Sequence, residues 1–456
     1  MEAVKLGELL NGVAVTRYPD AVITSVVTDS REARKGSLFV GIVGERMDGN
    51  DYAKAALERG ATAVVVNRRI DAPGEQIVVK DTKDAFIEMA GNYRERFSPK
   101  VVAVTGSVGK TTTKEMTAAV LSRFGKTLKN LGNKNNEIGM PETLFSMDGS
   151  TELAVLEMGM NGLGDISKLT RAAKPRAAAI TCIGVSHLEL LGSRENILKA
   201  KLEVIEGFSD EHGILVINGD DELLMGARAE IPFETVTFGI DNADADIAAK
   251  DIMMRAQSCE FTIDDRHNGE FQAMIPVAGK HNISDALAAY ALATRIGCDP
   301  AISAAALSDY EPAGMRQKFV DHNGITVIED CYNASPDSMR AAINTLAALP
   351  VEGIKVAVLG DMLELGAISR EAHRSIGMDA AKAGIDILLC YGENMKLCVE
   401  GAEAANITSA EHFETKEELA EYLAKTVHPG DAVMFKASRA MALEDAIELF
   451  YKYDEK

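Results

Sequence analysis

The sequence predicts an α/β protein of three domains: a small mixed α/β domain, a central doubly wound and mostly parallel sheet, and a second α/β domain. Three observations support this prediction. The length of 456 residues corresponds to about three domains of ordinary size. Apolar strand-like runs alternate with amphipathic helix-like runs from Val101 onward. The alternation pauses near Glu311 and then restarts.

The first domain, residues 1–82, is predicted from short apolar runs between turns. Its predicted elements are strands at Ser37–Gly41, Thr62–Val66 and Gln76–Val79 and a helix at Tyr52–Arg59. A polar helix over Thr82–Phe97 is expected to lead into the central domain.

The central domain, residues 83–313, begins with an apolar strand predicted at Val101–Thr105. The next helix is predicted from Thr111 to Phe124, because apolar side chains recur there at every fourth position. Gly125 is expected to close this helix as a C-cap. The further predicted elements are strands at Leu153–Leu156, Ala178–Ile183, Ile214–Ile217 and Thr235–Phe238, a β-rich stretch at Ala248–Ile263 and Phe271–Val277, and helices at Asn282–Arg295 and Ala301–Asp309.

The third domain, residues 314–456, is predicted after a hinge at Glu311–Gly314. Its β/α alternation is typical of a Rossmann-like sheet, in which each strand is paired with a helix. The predicted strands are Ile325–Ile328, Val356–Leu359, Ile385–Cys390 and Ala432–Phe435.

The composition is that of an ordinary globular protein, with 46% apolar and 26% charged residues. The formal net charge of −21 argues against a nucleic-acid or anionic-membrane partner. The six cysteines are scattered and form no CxxC pair, which indicates reduced thiols. We find no signal peptide and no apolar run of about 20 residues, so we expect a cytoplasmic protein.

A glycine-rich turn stands at the first strand–helix junction of the central domain. Its glycines let backbone N–H groups face a phosphate, and the following helix N-terminus favours negative charge. Lys110 is expected to reach the β- and γ-phosphates of a nucleotide, and Thr111 to bind Mg²⁺. The common loop has glycine where Val104 stands, so this is a shortened variant. The predicted phosphate-binding residues are Gly106, Ser107, Val108, Gly109, Lys110, Thr111 and Thr112.

Three further residues are candidates for chemistry, each with a plainer alternative. Glu157 ends a strand, where ligands of open α/β sheets gather, yet acidic residues there are often solvated loop residues. His187 follows the next strand, and a lone histidine is more often structural than a ligand. Lys201 precedes Glu203 on a helix, and the residues alone favour an exposed lysine–glutamate pair.

The chain resembles the Mur ligase family through several motifs in the family's order and spacing. The resemblance covers nearly the whole sequence, and the motifs together are highly specific. They are Thr105–Thr112, Asn133–Pro141, Glu157–Gly159, Gly184–Ser193, Ala200–Glu203, Asn218–Asp221 and Gly279–Asn282, with Thr28–Arg31 and Gly44–Gly49 in the first domain. Glu329–Arg340 and Leu359–Gly366 resemble the family members that accept D-alanyl-D-alanine.

For the central domain, the resemblance implies a site for ATP and two Mg²⁺ ions. Thr111 and Glu157 match residues that coordinate Mg²⁺, and His187 matches a residue at a second Mg²⁺. Lys201 matches the lysine that the family carbamylates, and a carbamate can bind a cation that an ammonium group would repel. The implied catalytic residues are Lys110, Glu157, His187 and Lys201.

The resemblance also assigns residues to the nucleotide and to the substrates. The implied further ATP contacts are His281, Asn282, Arg316 and Asp330. The implied substrate contacts are Asp29, Ser30 and Arg31 on the uridine-nucleotide side, with Asn135, Asn136, Tyr332 and Asn333.

The activity that the resemblance implies joins UDP-N-acetylmuramoyl-tripeptide to D-alanyl-D-alanine with consumption of ATP, through an acyl phosphate, in peptidoglycan precursor synthesis. A related amide ligase is the nearest alternative, either the enzyme that adds the third peptide residue or a folylpolyglutamate synthase. A P-loop switch or assembly NTPase is an alternative from another class. We expect a monomer whose third domain rotates about Pro312–Gly314 to close over the substrates.

Overall fold

The computed structural model describes residues 1–44, 46–208, 210–255, 257–312 and 314–454. Its larger sheets follow one another along the chain, and each is covered by helices. Ala313, which belongs to the predicted hinge, lies outside the described residues. The boundaries at 82/83 and 313/314 therefore stay predictions.

The first part of the chain folds into a four-stranded parallel sheet and a small antiparallel pair. The antiparallel pair is β1 (Val4–Lys5) and β2 (Val22–Ile23). The parallel sheet has the order β3 (Ser25–Val27), β4 (Ser37–Val40), β5 (Ala63–Val66) and β6 (Glu75–Val78), and the helices are α1 (Leu6–Leu9), α2 (Ala53–Glu58) and α3 (Thr82–Arg94). The three strands predicted here are confirmed within one residue at each end.

A nine-stranded sheet forms the centre of the molecule. Its strands are β7 (Lys100–Thr105), β8 (Thr127–Lys129), β9 (Leu153–Glu157), β10 (Ala177–Ile180), β11 (Ile214–Asn218), β12 (Glu234–Gly239), β13 (Ile247–Met254), β14 (Cys259–Asp265) and β15 (Gly269–Ile275). Their spatial order is β15-β14-β13-β12-β11-β10-β7-β9-β8, and the pairs from β8 through β13 are parallel. The β-rich stretch of the sequence becomes the antiparallel edge β13-β14-β15.

The order of this sheet explains where a ligand can bind. Strand β7 lies between β9 and β10, so the chain runs to one side of β7 first and to the other side later. The ends of such strands form a crevice at the point where the strand order reverses. The loop after β7, residues 106–109, occupies that crevice.

Helices cover both faces of the central sheet and include the helix that follows the loop. They are α4 (Lys110–Leu121), α5 (Gly139–Phe145), α6 (Asp165–Ala173), α7 (Leu188–Leu191), α8 (Arg194–Leu202), α9 (Glu222–Ala227), α10 (Lys280–Arg295) and α11 (Pro300–Ala306). The predicted C-cap at Gly125 is wrong, because α4 ends at Leu121 with Ser122 as its cap. Turns through Phe124 follow, and Gly125 does not adopt the left-handed conformation that a glycine cap uses.

The last part of the chain forms a six-stranded sheet. In chain order its strands are β16 (Lys318–His322), β17 (Ile325–Glu329), β18 (Lys355–Gly360), β19 (Ile387–Tyr391), β20 (Ser409–Phe413) and β21 (Ala432–Lys436), and the helices are α12 (Pro336–Ala348), α13 (Ser369–Lys382), α14 (Met395–Ala404), α15 (Lys416–Thr426) and α16 (Glu444–Asp454). The spatial order is β16-β17-β21-β18-β19-β20, parallel except for β16.

The packing ties the first two parts of the chain together more closely than the third. Helix α3 packs against α1 on one side and against α5 and α6 on the other. One apolar cluster accordingly runs from Leu6 through Phe86 to Leu156. The third sheet has its own apolar clusters on its two faces. Among the described residues, none of the helices combines the length and apolar character needed to cross a bilayer.

Candidate nucleotide and metal site

A cavity of about 770 Å³ lies between the carboxyl ends of the central strands and those of the third sheet. This volume is within the range of small-molecule sites. The structure brings most of the predicted residues together around it. The predicted residues that line it are Ser107, Val108, Gly109, Lys110, Thr111, Thr112, Asn135, Asn136, Glu157, His187, His281, Asn282, Arg316, Asp330, Tyr332 and Asn333.

The loop after β7 has the backbone shape of a phosphate cradle. Gly106 and Gly109 have φ of 147° and 86°, backbone values that residues other than glycine rarely adopt. A Cβ at Gly106 would collide with the Thr181 hydroxyl, and one at Gly109 with the Asp285 carboxylate. Both glycines are therefore required by the close approach of neighbouring side chains as well as by φ.

Lys110 folds back over its own loop. Its Nζ donates to the carbonyl oxygens of Gly106 at 2.8 Å and Ser107 at 3.2 Å. Burial lowers the pKa of Lys110, and the nearby Glu157 carboxylate opposes that shift. The ammonium group is thus held at the mouth of the cradle, where a phosphate can replace the carbonyl acceptors.

Thr111 and Glu157 meet beneath this loop. The Thr111 hydroxyl donates to Glu157 Oε2 at 2.8 Å, and Asn135 Nδ2 donates to Oε1 at 2.7 Å. Glu157 is only 2% exposed, so the solvated-loop alternative is wrong for this residue. A buried carboxylate and a hydroxyl at a phosphate cradle are oxygen ligands of the kind Mg²⁺ uses.

Lys114, which the sequence did not single out, lies behind Glu157. It is fully buried, and its Nζ lies 3.7 Å from Glu157 Oε2 and 3.0 Å from Glu115 Oε1. Lys129 pairs with the other oxygen of Glu115, so opposite charges alternate from the surface to Glu157. The position of Lys114, four residues after Lys110, did not mark it as a site residue, because a lysine on a helix usually points to solvent.

His187 lines the cavity, and Lys201 lies near His187 and Lys110 without lining the cavity itself. Lys201 is 2% exposed, and burial lowers its pKa well below the ordinary value, with Lys110 adding to the shift. The exposed lysine–glutamate pair that the residues alone favoured is therefore wrong. Burial, assisted by Lys110 and Lys201, lowers the pKa of His187 to about 4. The His187 ring is therefore neutral near neutral pH, and the shift of Lys201 favours its neutral amine, the form in which a nitrogen can bind a metal or react with CO₂.

The donor set fits Mg²⁺ with few protein ligands. Among the described residues, no three His, Cys, Asp or Glu side chains converge as a metal cage. Mg²⁺ commonly takes one or two protein carboxylates and completes its shell with water and substrate phosphates. Thr111 with Glu157 suits that pattern, and a carbamate on Lys201 would supply a second anionic oxygen group.

The third sheet supplies the opposite wall. Asp330 directly follows β17, and Lys436 ends β21. The Lys436 Nζ donates to Asp330 Oδ2 at 2.6 Å, and both side chains are buried. The Arg316 guanidinium lies 3.5 Å from the centroid of the Tyr332 ring. Lys436 was open to prediction, since it ends an apolar strand beside the strand that carries Asp330.

Gln317 joins the two walls, and sequence reasoning missed it. Its Nε2 donates to His281 Nε2 at 3.0 Å, and its Oε1 accepts from Asn282 Nδ2 at 2.6 Å. Burial lowers the pKa of His281 to about 4, so the ring is a neutral acceptor. No local pattern marks Gln317, because its role depends on the approach of two distant chain segments.

Asp285 is a second residue that was missed on the central wall. Its Oδ1 accepts from the Thr113 hydroxyl at 2.9 Å, one turn into α4. Burial raises the pKa of Asp285 to about 8. The side chain therefore carries a proton near neutral pH and packs against Gly109 as an uncharged group.

Five predicted residues are not among those that line the cavity. Gly106 belongs to the loop and Lys201 lies close to Lys110, whereas Asp29, Ser30 and Arg31 lie in the first part of the chain. Asp29 caps the turn Ser30–Glu32 and pairs with Arg31 at 2.6 Å. The Arg31 hydrogen bonds lower the pKa of Asp29 to about 2. Asp29, Ser30 and Arg31 thus form a local arrangement in the first sheet, and their assignment to a uridine nucleotide stays a prediction.

The fold and the site together define a three-part α/β protein with a glycine-rich loop before a helix, a buried carboxylate beside that loop, and a second wall facing both across one cavity. The chain belongs to the Mur ligase family. Three family descriptions match in succession: the Mur ligase family catalytic domain at residues 22–104, the Mur ligase middle domain at 104–293, and the Mur ligase glutamate ligase domain at 315–439. The family resemblance of the sequence motifs is confirmed.

Relatives and solved structures agree with this assignment along nearly the whole chain. The UDP-N-acetylmuramoyl-tripeptide–D-alanyl-D-alanine ligase of Bacillus subtilis (strain 168) is 39% identical over 449 residues, 97% of this chain and 96% of the relative. The enzyme of that name from Escherichia coli (strain K12) is 36% identical over 97% of this chain and 96% of its own length.

Two solved structures match in fold as well as in sequence. A crystal structure of MurF from Acinetobacter baumannii matches with a TM-score of 0.91 and 31% identity, covering 99% of each chain. MurF ligase from Thermotoga maritima in complex with ADP matches with a TM-score of 0.84 and 31% identity, covering 94% of this chain and 98% of that one. The predicted α/β fold class is confirmed.

Proposed function

We propose that this chain joins D-alanyl-D-alanine to UDP-N-acetylmuramoyl-tripeptide, with conversion of ATP to ADP and phosphate. The product is UDP-N-acetylmuramoyl-pentapeptide, a peptidoglycan precursor. The relatives that carry this activity in their names match across nearly the full chain. One observation of the molecule supports the proposal most: a P-loop and its buried Thr111–Glu157 pair face a second wall across one cavity.

The reaction must first activate a carboxylate. An oxygen of the terminal carboxylate of the tripeptide attacks the γ-phosphorus of ATP, the bond from that phosphorus to the bridging oxygen breaks, and ADP leaves. Two anions approach each other in this step, so the site needs positive charge. Lys110 provides it by exchanging its loop carbonyl acceptors for phosphate oxygens.

Residues around the loop would hold the two Mg²⁺ ions. Mg²⁺ when bound neutralises charge on the phosphate oxygens and aligns them for transfer. Thr111 and Glu157 would hold one ion, and His187 with carbamylated Lys201 the other. The carbamate forms when the neutral Lys201 amine attacks CO₂ and loses a proton, and burial, which lowers the pKa of Lys201, favours that neutral form.

The second step forms the amide bond. The deprotonated amine of D-alanyl-D-alanine attacks the acyl-phosphate carbon, and the tetrahedral intermediate expels phosphate. Water would compete for the acyl phosphate, so the cavity between the two walls must exclude it. The hydrogen bonds from Gln317 to His281 and from Asn282 to Gln317 hold the walls together and serve this exclusion.

The remaining assignments come from the family resemblance, and the placement of the side chains supports those that line the cavity. His281, Asn282, Arg316 and Asp330 would contact ATP from the two walls. Asn135, Asn136, Tyr332 and Asn333 would contact the peptide substrates, and Asp29, Ser30 and Arg31 the uridine nucleotide. We further propose that the protein is a monomer. We also propose that it is cytoplasmic, since the six free cysteines suit the reducing compartment in which ATP is available.

A panel of acceptor amines in a phosphate-release assay tests the proposal. Phosphate release should require both UDP-N-acetylmuramoyl-tripeptide and D-alanyl-D-alanine, with single amino acids and glutamate inactive. Release with a diamino acid or with glutamate would indicate another amide ligase of the family. Release with ATP alone at the same rate would indicate a switch or assembly NTPase instead.

The carbamate has its own test in Lys201→Ala. Without the anionic group, kcat should fall by about 10² or more. Acetate or propionate should restore part of it by filling the vacated space with a carboxylate. Lys199→Ala removes an exposed lysine from the same helix and should change nothing. Full activity of Lys201→Ala without added acid would contradict the assignment.

A further inference from the structure

The Nδ1 atom of His187 is buried and has no hydrogen-bond partner among the described residues. The atom that approaches it is Glu364 Oε2, at 3.3 Å, from the loop that follows β18 in the third sheet. The two atoms are within reach of each other, but their alignment falls short of a hydrogen bond. A buried ring nitrogen of a residue matching a metal ligand thus faces a carboxylate from another part of the fold.

The charges around His187 make this carboxylate significant. Lys110 and Lys201 lie near the imidazole on the side of the central sheet, and both contribute to the lowered pKa of His187. The Glu364 side chain is 66% exposed, so its carboxylate loses little hydration where it meets the ring. It can accept a hydrogen bond from Nδ1–H, and Nε2 then keeps its lone pair for a cation.

The loop that carries Glu364 is anchored on both sides. His373, fully buried, accepts from the Met362 N–H at 3.0 Å, and the Ser438 hydroxyl accepts from the Leu363 N–H at 2.9 Å. Gly366 lies so close to Glu189 on α7 that a Cβ there would be 3.1 Å from the Glu189 Cβ. The position of the Glu364 backbone is thus set by the third sheet and by its contact with α7.

Both partners have unusual backbone conformations. His187 and Glu364 each have φ of 63°, in the left-handed region that residues other than glycine seldom occupy. Such conformations carry a cost and persist where the surrounding structure enforces them, often at functional sites. Two of them facing each other across 3.3 Å is a second observation, independent of the unpartnered nitrogen.

We infer that Glu364 is a positioning residue for the metal site. Its carboxylate accepts a hydrogen bond from Nδ1–H of His187 and so orients the ring for Mg²⁺. Histidine ligands commonly donate their second N–H to a carboxylate, which fixes the tautomer and the ring plane. Here that carboxylate comes from the third sheet. Docking of the third sheet therefore completes the metal site, so metal binding and closure of the cavity favour each other.

This inference rests on the proposed role of His187 as a metal ligand, and the test separates the two. Mg²⁺ is titrated into the full chain with a saturating non-hydrolysable ATP analogue, and the thermal unfolding midpoint reports binding. Glu364→Met removes the acceptor and keeps the length, and it should raise the Mg²⁺ concentration at half-effect by about 10-fold. Glu364→Gln keeps an oxygen acceptor and should stay within about threefold of the wild type.

Glu371→Met is the matched control, since it removes an exposed carboxylate from the first turn of α13. An unchanged Mg²⁺ response in Glu364→Met, or an equal change in Glu371→Met, would overturn the inference. So would small-angle scattering in which Glu364→Met loses compaction while its Mg²⁺ response is normal, because the contact would then be only a latch. If His187→Ala also leaves the response unchanged, the proposed metal role of His187 fails instead.

Discussion

The two walls of the cavity are built in different ways. The central wall is built on buried ionisable groups, with Glu157 and Lys201 each 2% exposed and Lys114 fully buried. The wall from the third sheet has one buried pair, Lys436–Asp330, and a rim of half-buried or exposed side chains such as Tyr332 and Asn333.

This difference indicates a division of labour. Buried charges in a low dielectric act strongly and are already organised before substrates bind, which suits stabilisation of a transition state. Exposed side chains act weakly and adapt, which suits substrate capture and release. Changes on the central wall should therefore lower kcat, and changes on the rim should mainly raise KM.

The largest effect is expected from Lys110→Met. Loss of the ammonium group at the phosphate cradle should lower kcat by about 10³, or roughly 4 kcal/mol, with a smaller change in KM for ATP. Phosphate release with all substrates present measures it. The unfolding midpoint should stay close to the wild type, because the hydrogen bonds of the Lys110 amine go to carbonyls of its own loop. A kcat within tenfold of the wild type would contradict the expectation that changes on the central wall mainly lower kcat.

Lys114→Met tests the buried charges behind Glu157. It leaves Glu115 and Glu157 without their buried cation, and the loss of one partner of a buried pair costs about 3 kcal/mol. Urea unfolding should show a loss of that size. Lys129→Met removes the outer cation of the same chain of charges, which is 37% exposed, and should cost under about 1 kcal/mol. Equal losses of unfolding free energy in the two variants would contradict the expectation that the buried lysine contributes more than the partly exposed one.

Asp285→Asn tests burial through pH. The pKa of Asp285 is about 8 in the fold and 3.8 in its ordinary state, so the folded chain binds an extra proton between these values. The stabilisation is fully present below about pH 4 and is lost as pH rises through about 8, at up to about 1.4 kcal/mol per pH unit. Asparagine cannot titrate, so the wild type should lose stability relative to the variant from pH 6 to 8. A pH-independent difference in their urea midpoints would sink this prediction.

The smallest effect is expected from Tyr332→Leu on the rim. Loss of the ring beneath Arg316 removes a partly exposed cation–π contact of about 0.5–1 kcal/mol. KM for ATP should rise about two- to fivefold with kcat unchanged. Tyr332→Phe retains the ring and serves as the control. A fall in kcat larger than the rise in KM would move Tyr332 from the rim to the catalytic centre.

Local patterns predicted most of the fold. Apolar runs such as Val101–Thr105 and Ile214–Ile217 are buried parallel strands, as their continuous apolar character indicates. The strands β16 and β20 were not predicted, because they lie at the edges of the third sheet and carry polar or half-buried residues. The end of α4 was misplaced because Gly125 is a plausible cap by composition, whereas the turn ends the helix earlier.

The sequence by itself determined the phosphate cradle, because every part of it lies within one strand–turn–helix segment and depends on glycine φ and a helix N-terminus. The family motifs marked Glu157, His187 and Lys201. The burial of these side chains, and the lowered pKa of His187 and Lys201 that burial causes, depend on packing. Only the tertiary structure placed Lys114 behind Glu157, Gln317 between the walls and Glu364 against His187. Those contacts join segments far apart in the chain, and no local periodicity encodes which distant segments will meet.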